Sequence, residues 1–327
     1  MTTDPTTTPT TMRAITIDAF GDPDRLAVRT LPAPPEPLPH EILVRTVAAA
    51  VNPVDLQTRA GLHARNSSVA LPMTLGWDLA GVVEAAGPAV TDLTVGTPVI
   101  AMSAQMATGR GTYAERVVLP ADLAARAPSG LPLEEAAALP LAGLTALQAL
   151  DRLALAPGER LLITGALGSV GALATQLAAH RGARVVAHLR DDARADEAEA
   201  LGADEVSTPD SPARPCDAML DTAGLPDLIG RVRDGGRSVS IVPTKPLTAE
   251  RGITVSVSYV EQSGAGLALL SRLHEEGKVR LRPGHRLPFE QAHRAHELLA
   301  AGGLNGKILL VPTQNGPAAG VAPGRTR

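Results

Sequence analysis

The chain has very few of the residues that build metal centres and aromatic surfaces. Among its 327 residues there is one cysteine, and Phe, Trp and Tyr together make up 2%. One thiol excludes an internal disulfide and any zinc site built from several cysteines. Such a composition is typical of a reducing compartment, so we expect a cytoplasmic location. We interpret Cys216 as a small hydrophobic residue at the start of a buried strand.

The sequence also lacks an excess of positive charge and a long apolar run. Its formal net charge is −4, so neither nucleic acid nor an anionic membrane is expected as a partner. No apolar run reaches the roughly 18 residues of a membrane-spanning helix. Hydrophobic residues make up 44%, which predicts a folded chain with room for two domains.

Both ends of the chain have the composition of tails. Residues 1–11 are mostly Thr and Pro, and they lack the charged start and apolar stretch of a signal peptide. Residues 314–327 are rich in Gly, Pro and Ala. We predict that both segments are disordered.

The strongest local pattern lies in Arg160–Gln176. A short apolar run at 161–164 predicts a buried strand, three glycines follow at 165, 168 and 171, and an Ala-rich helix begins after them. The unpaired N–H groups at a helix start and the positive end of its dipole favour an anion. Ala166 stands where the common dinucleotide fingerprint has its first glycine. Alone, the stretch therefore predicts only an anion site.

The periodicity divides the chain into two kinds of segment. Up to about Pro128, short apolar or alternating runs are separated by Pro and Gly, which predicts a small barrel or sandwich. From Leu133, strands and helices alternate as in a doubly wound parallel sheet, whose strands we expect to follow chain order. We therefore predict an α/β protein with a β-rich domain at 12–132 and 283–313, and a parallel-sheet domain inserted at 133–282.

Nine short motifs are distributed along most of the chain. They are A-V-N-P-V-D at 50–55, R-A-G at 59–61, P-M-T-L-G-W-D-L-A-G-V-V at 72–83, G-T-Y-A-E at 111–115, A-A-A-L-P-L-A-G-L-T-A at 136–146, G-A-L-G-S-V-G at 165–171, L-G-A-D at 201–204, L-D-T-A-G at 220–224 and G-K-I-L-L-V at 306–311. In this order and spacing they resemble the medium-chain dehydrogenase/reductase superfamily, in its quinone oxidoreductase and enoyl reductase branch. The resemblance covers about residues 12–312. It implies a GroES-like catalytic domain, a Rossmann domain and a homodimer.

The residues at the zinc positions indicate the zinc-free branch. Zinc-dependent members hold the metal with Cys, His and Cys, whereas the matching positions here carry Asn52, Trp77 and Leu141. None of these supplies a thiolate or an imidazole. His293 and His296 stand three apart on a predicted helix without a third ligand, and we interpret them as part of a solvated helix face. The resemblance thus implies an enzyme without a metal.

The end of the second Rossmann strand bears on the choice of cofactor. NAD-binding members place an acidic side chain there for the ribose 2′-OH, but in this chain His188 is followed by Leu189, Arg190 and, four residues on, Arg194. A guanidinium group can bind a 2′-phosphate through two hydrogen bonds. We therefore expect NADPH. The alternative is that both arginines belong to a solvated helix start.

The resemblance assigns further residues to the cofactor. Ser169 and Val170 would donate backbone N–H groups to the pyrophosphate. Lys307 would reach the cofactor across the cleft, although a surface lysine is an equal alternative. The full cofactor set is Thr145, Gly165, Gly168, Ser169, Val170, His188, Arg190, Arg194, Thr222, Ala223, Val242 and Lys307.

Three residues near the lost zinc positions are the candidates for the catalytic site. Asn52 could orient a carbonyl or the cofactor ribose, or it could stabilise the turn before Pro53. Asp55 could hold the same loop or a positive partner. Trp77 could form an apolar wall over the substrate or fill the space left by the zinc.

Without a metal, an alcohol has no Lewis acid to help it lose its proton. A C=C bond conjugated to a carbonyl, or a quinone, can accept hydride without one. We expect NADPH-dependent reduction of an enone, a 2-alkenal, an enoyl thioester or a quinone. The alternatives are an NADPH-binding sensor or scaffold, and a biosynthetic enzyme with little net redox turnover. The shortage of aromatic residues, and Gln57 where several quinone reductases carry tyrosine, favour the activated C=C bond.

Overall fold

The computed structural model describes residues 10–64, 70–109, 111–212, 214–282 and 284–313. Of the predicted N-terminal tail only residues 10 and 11 belong to these ranges, and Thr11 already starts the first strand. The predicted tail at 314–327 lies outside the described residues. Within the described ranges, no helix combines the length and the apolar character needed to cross a membrane.

The elements follow one another in three stretches. The first contains β1 (Thr11–Ile17), β2 (Ala27–Pro32), β3 (Glu41–Val51), α1 (Pro53–Arg59), β4 (Met73–Thr74), β5 (Asp78–Ala86), β6 (Pro98–Met102), α2 (Gln105–Thr108), β7 (Arg116–Pro120) and β8 (Ala124–Arg126). The second contains α3 (Leu133–Ala136), α4 (Pro140–Leu153), β9 (Arg160–Thr164), α5 (Ser169–His180), β10 (Arg184–His188), α6 (Ala195–Ala200), β11 (Glu205–Ser207), β12 (Cys216–Asp221), β13 (Val232–Ser240), β14 (Thr254–Val257) and α7 (Gly264–Glu275). The third contains β15 (His285–Pro288), α8 (Ala292–Ala301) and β16 (Ile308–Val311).

Strand β3 is the centre of the β-rich part. It lies in a seven-stranded sheet of order β15-β16-β3-β5-β6-β8, in which β7 also pairs with β3. Most of its residues are buried, because β5 covers one edge while β7 and β16 share the other. The pair Ile308↔Val51 brings the last strand of the chain beside the end of β3. The residues just outside that pair, Lys307 and Asn52, are therefore neighbours.

The parallel sheet has six strands in the order β11-β10-β9-β12-β13-β14. The predicted parallel sheet is confirmed, but the expectation that its strands follow chain order is wrong. Strand β9 lies in the middle, the chain moves outward to β11, and it then returns to pair β12 with the other side of β9. Because parallel crossovers are right-handed, such a return places helices on both faces and leaves a crevice at the reversal point.

Two segments interrupt the regular strands and helices. Residues Pro226–Arg231 form a 3₁₀ turn, and β13 begins directly after it at Val232. The segment before β7 makes an isolated bridge between Ala114 and Ala14 of β1, and β7 itself begins only at Arg116.

Helix α4 connects the two parts of the core. Ten of its 14 residues are buried. It contributes to one apolar cluster that includes Ala48 and Trp77 from the β-rich part and Leu161 from β9. Burying a leucine side chain stabilises a fold by roughly 1.5–3 kcal/mol, so this shared core resists separation of the two sheets.

Candidate active site

The glycine turn after β9 has the geometry of a phosphate cradle. Gly165 has a φ of 59°, and Gly168 donates its N–H to the Gly165 carbonyl at 2.8 Å. A Cβ atom at Gly171 would lie 2.2 Å from the Gly165 carbonyl oxygen, so only glycine fits there. Helix α5 begins at Ser169 and presents the N–H groups of Ser169 and Val170 beyond the turn. These residues fit the pyrophosphate of a dinucleotide.

A buried threonine and aspartate join this turn to the end of β12. The Thr164 hydroxyl donates to Asp221 Oδ1 at 2.6 Å and accepts from the Thr222 N–H at 2.9 Å. Asp221 Oδ1 also accepts from the N–H groups of Ala223 and Gly224 at 3.3 and 2.9 Å. Thr222 and Ala223 therefore lie beside the glycine turn, as a cofactor role would require. The sequence motif pointed to these two residues and missed Asp221, which holds them.

Val242 and Thr145, two further predicted cofactor residues, are each fixed by a hydrogen bond within the protein. The Val242 N–H donates to Ser240 Oγ at 3.0 Å, and its side chain packs against Gly224. The Thr145 hydroxyl donates to the Leu141 carbonyl at 2.6 Å within α4, and the residue is buried. Contacts of both residues with a cofactor stay predictions.

At the end of β10 the predicted cofactor residues differ in burial: the histidine is buried, and the two arginines that follow it are exposed. His188 is buried and its ring hydrogen-bonds Ser207 Oγ at 3.0 Å, which ties β10 to β11. Burial lowers the pKa of His188, and the Arg231 charge lowers it further. Arg190 is exposed, and Arg194 is engaged by Glu197 at 2.5 Å. The imidazole thus has a structural hydrogen bond, while both arginines are exposed at the protein surface.

Three buried polar side chains meet where the family resemblance places the zinc ligands. Asn52 donates through Nδ2 to Asp78 Oδ2 at 2.9 Å and accepts a hydrogen bond from Lys307 Nζ. The Lys307 ammonium lies 3.5 Å from Asp78 Oδ2. The fourth contact comes from α4, because the Leu141 N–H donates to Asp78 Oδ1 at 2.6 Å. One carboxylate thus joins four segments of the chain.

This cluster decides between two interpretations of Lys307. The side chain is only 7% exposed, so the surface-lysine alternative is wrong. Lys307 also lines a small cavity with Ser169 and Arg282, at the start of α5. Burial raises the pKa of Asp78, while the Lys307 charge and the hydrogen bond from Asn52 oppose that rise.

Asn52 is placed by the carboxylate of Asp55 as well. The Asn52 N–H donates to Asp55 Oδ2 at 2.8 Å, a capping-box contact at the start of α1. Both donors of the Asn52 amide are used, by Asp78 and by the Ala50 carbonyl at 3.2 Å. Direct contact of this amide with a substrate stays a prediction. What the structure shows is a residue that holds Asp78 and Lys307 in place.

Asp55 belongs to a second buried polar group behind the cleft. Burial raises its pKa to about 7, against the lowering effect of the Asn52 N–H. The Tyr113 hydroxyl is close enough to lower that pKa, and burial raises the pKa of Tyr113 itself. The His296 ring stands edge-on to Tyr113, with centroids 6.1 Å apart.

The interpretation of His296 as part of a solvated face is wrong. Its side chain is fully buried, and only His293 is exposed. Helix α8 packs Ala292, Ala295 and His296 inward, so the boundary between its buried and exposed faces passes between the two histidines. Burial, followed by the charge of Arg59, lowers the pKa of His296 to about 3.

Trp77 is a core residue at the rim of this site. It is 9% exposed and packs in the shared cluster with Ala48 and Ala50. Its Nε1 finds no hydrogen-bond partner within the described ranges. The structure thus places the indole among apolar side chains, and the role of Trp77 over a substrate stays a prediction.

The donor set does not fit a catalytic zinc. The side-chain amide of Asn52 is fully hydrogen-bonded to protein groups. Trp77 has an indole, and the side chain of Leu141 has no atom that could bind a metal. Across the part of the chain that the structure describes, no three His, Cys, Asp or Glu residues are grouped to hold a metal ion.

Comparisons with known proteins agree with this geometry. Residues 38–129 match the family model of the alcohol dehydrogenase GroES-like domain, and residues 187–310 match that of the zinc-binding dehydrogenase. The chain is 31% identical over 318 residues to a chloroplastic NADPH-dependent alkenal/one oxidoreductase of Arabidopsis thaliana, covering 93% of this chain and 80% of the relative. It is also 31% identical to the quinone oxidoreductase of Lama guanicoe, covering 92% of this chain and 97% of that protein.

Solved structures give the same result. The quinone oxidoreductase from Coxiella burnetii superposes with a TM-score of 0.83 at 29% identity, covering 93% of this chain and all of that one. A thermostable alcohol dehydrogenase from Pyrobaculum aerophilum superposes with a TM-score of 0.81 at 30% identity, covering 92% of this chain. The chain therefore belongs to the medium-chain dehydrogenase/reductase family, in its quinone oxidoreductase branch.

Proposed function

We propose that the protein is an NADPH-dependent, zinc-independent reductase of an activated C=C bond or a quinone. The observation that carries the proposal is the buried cluster of Asn52, Asp78 and Lys307 beside the glycine turn. Its cation, Lys307, is hydrogen-bonded to Asn52, the residue that the family resemblance aligns with a zinc ligand. The name of the Arabidopsis relative supports both the cofactor and the acceptor class.

The chemistry needs only positioning and charge stabilisation from the protein. Bound NADPH supplies a hydride to the carbon β to the carbonyl group. The carbonyl oxygen of the acceptor then becomes an enolate oxygen, which needs hydrogen-bond donors in a site without water. An ammonium group has three N–H donors. Lys307 donates two of them to protein oxygens, one on Asn52 and one on Asp78. We assign the third donor to the acceptor oxygen or to the cofactor.

The cofactor-binding residues are assigned as a group. Ser169 and Val170 bind the pyrophosphate through backbone N–H groups, and Thr222 and Ala223 line the path of the ribosides. Val242 and Thr145 lie toward the nicotinamide. Arg190 or Arg194 binds the 2′-phosphate, which favours NADPH over NADH. Asn52, Asp55 and Trp77 remain the assigned residues of the substrate side.

We also propose a cytoplasmic homodimer. Strand β14 is the last strand of the parallel sheet, so one of its edges has no partner strand among the residues that the structure describes. Tyr259, which follows it, is 68% exposed. Light scattering coupled to size exclusion tests the assembly, since a monomer mass would contradict it.

One assay separates reduction from mere nucleotide binding. NADPH oxidation is followed at its absorbance band with 1,2-naphthoquinone, an enone and a crotonyl thioester as acceptors. Turnover with at least one supports the proposal and ranks the acceptor classes. Tight NADPH binding without oxidation by any of the three would indicate a sensor or scaffold instead. The same assay with NADH measures the cofactor preference.

A further inference from the structure

A single carboxylate lies between two guanidinium groups beside the glycine turn. Glu197, in α6, accepts from Arg194 Nε and Nη2 at 2.8 and 2.5 Å through Oε2. Its other oxygen, Oε1, accepts from Arg282 Nη1 at 2.9 Å. Asn305 Oδ1 accepts from Arg194 and Arg282 at 3.3 and 2.9 Å. The arrangement is a compact anion site already filled by a side chain.

The site is attached to the turn that cradles the phosphates. Arg282 Nη2 donates to the carbonyl oxygens of Leu167 and Gly168, the latter at 3.3 Å. Arg282 also lines the cavity that contains Ser169, the first residue of α5. Arg194 approaches from the loop after β10, the neighbour of β9. In doubly wound folds the adenosine ribose lies at this place, between the glycine turn and the end of the second strand.

The two arginines are not equally free to move. The side chain of Arg282 is 16% exposed and makes contacts with the turn, with Glu197 and with Asn305. The side chain of Arg194 is 42% exposed, and its partners are Glu197 and Asn305. Arg194 is therefore the partner that can exchange a carboxylate for another anion, while Arg282 keeps Glu197 in place.

The carboxylate is charged in the range where the protein would work. Partial burial raises the pKa of Glu197, but hydrogen bonds from Arg194 and Arg282 outweigh it, so the net shift is downward. A phosphate monoester carries about −1.5 to −2 charges at neutral pH and accepts several hydrogen bonds. It would compete for Arg194 and would be repelled by Glu197.

We propose that Glu197 competes with the 2′-phosphate of NADPH for Arg194, and so limits the preference of the protein for NADPH over NADH. The inference rests on the proposed assignment of the 2′-phosphate to this arginine. It adds a specificity-determining carboxylate, Glu197, and an anchoring arginine, Arg282, to the cofactor site. Loss of the carboxylate would release Arg194 for the phosphate, while Arg282 stays bonded to the glycine turn and to Asn305.

The test measures binding rather than turnover. Titration calorimetry compares adenosine 2′,5′-bisphosphate with AMP, which lacks the 2′-phosphate, on the full chain. Glu197→Gln keeps the size of the side chain and removes its charge. Glu199→Gln is the matched control, because it makes the same charge change on the same helix at an exposed residue. We expect Glu197→Gln to bind the bisphosphate about fivefold more tightly than the control variant does. The AMP affinities of the two variants should agree within about twofold.

A second variant shows whether the effect passes through Arg194. In the Arg194→Met background, Glu197→Gln should change bisphosphate affinity by less than about twofold. An unchanged or weaker bisphosphate affinity in Glu197→Gln alone would overturn the competition and make Glu197 a support for Arg194. Equal affinity of the unaltered protein for both ligands would instead refute the proposed NADPH preference. A gain in Glu197→Gln would still support competition in that case.

Discussion

Asp78 accepts the backbone N–H of Leu141 at 2.6 Å, a contact that joins strand β5 of the β-rich part to the first turn of α4. A carboxylate at a helix start is stabilised by the unpaired N–H groups and by the helix dipole. The other oxygen of Asp78 bonds Asn52 and faces Lys307. The charge that holds the two parts together is thus also the partner of the proposed active-site cation.

The buried position of Asp78 predicts a large loss of stability on neutralisation. Asp78→Asn should lower the free energy of unfolding by about 3–5 kcal/mol, because Lys307 would remain buried without its counter-ion. Urea denaturation measures the change. Glu84→Gln, on the same strand, removes a part-exposed partner of Arg116 and should cost at most about 1 kcal/mol. Equal losses in the two variants would contradict a buried charge cluster.

The glycine turn predicts a sharp contrast between two glycines. Gly171→Ala should weaken binding of AMP and NADPH by at least about tenfold, because its Cβ would push into the Gly165 carbonyl that shapes the phosphate cradle. Gly230→Ala is the control, since nothing lies within 4 Å of its Cβ. Fluorescence titration of NADPH measures both. Unchanged affinity in Gly171→Ala would show that the cofactor lies elsewhere.

This turn was the most predictable part of the protein from its sequence. Strand, glycines and helix are contiguous, so local propensity alone fixes their order. Asp78 was not predictable as a hub, because its partners Asn52, Leu141 and Lys307 lie 26, 63 and 229 positions away. Spacing also failed for His296, because a three-residue interval cannot tell which side of a helix the tertiary fold buries.

The raised pKa of Asp55 predicts a pH-dependent contribution to stability. Its value in the folded protein is about 7 against 3.8 ordinarily, so the folded state holds the proton more tightly than the unfolded chain. The contribution is fully present below about pH 4 and is lost as the pH rises through 7. Between pH 4 and pH 8, the free energy of unfolding of the unaltered protein should therefore fall by up to about 4 kcal/mol relative to that of Asp55→Asn. Denaturation series at matched pH values measure the difference, and parallel curves would refute it.

Asn52, Trp77 and Leu141, which align with the zinc ligands of the zinc-dependent branch, supply no thiolate or imidazole. We therefore predict that chelators do not inhibit the enzyme. Turnover after dialysis against 1,10-phenanthroline should stay within about twofold of the untreated enzyme, because the proposed hydride transfer requires no Lewis acid. Elemental analysis of the same sample should find less than about one zinc in ten chains. Recovery of lost activity by added zinc would show that the assignment to the zinc-free branch is wrong.

Removing both buried charges together separates the chemical role of Lys307 from its role in folding. Lys307→Met alone leaves Asp78 unpaired and should be destabilised, as Asp78→Asn is. The double variant replaces the ion pair by a neutral pair and should recover most of the lost stability, because no uncompensated charge remains. If the ammonium stabilises the developing enolate, turnover in the double variant should still fall by about 100-fold or more at saturating NADPH. Double-variant turnover close to that of the unaltered enzyme would mean that Lys307 serves only the fold.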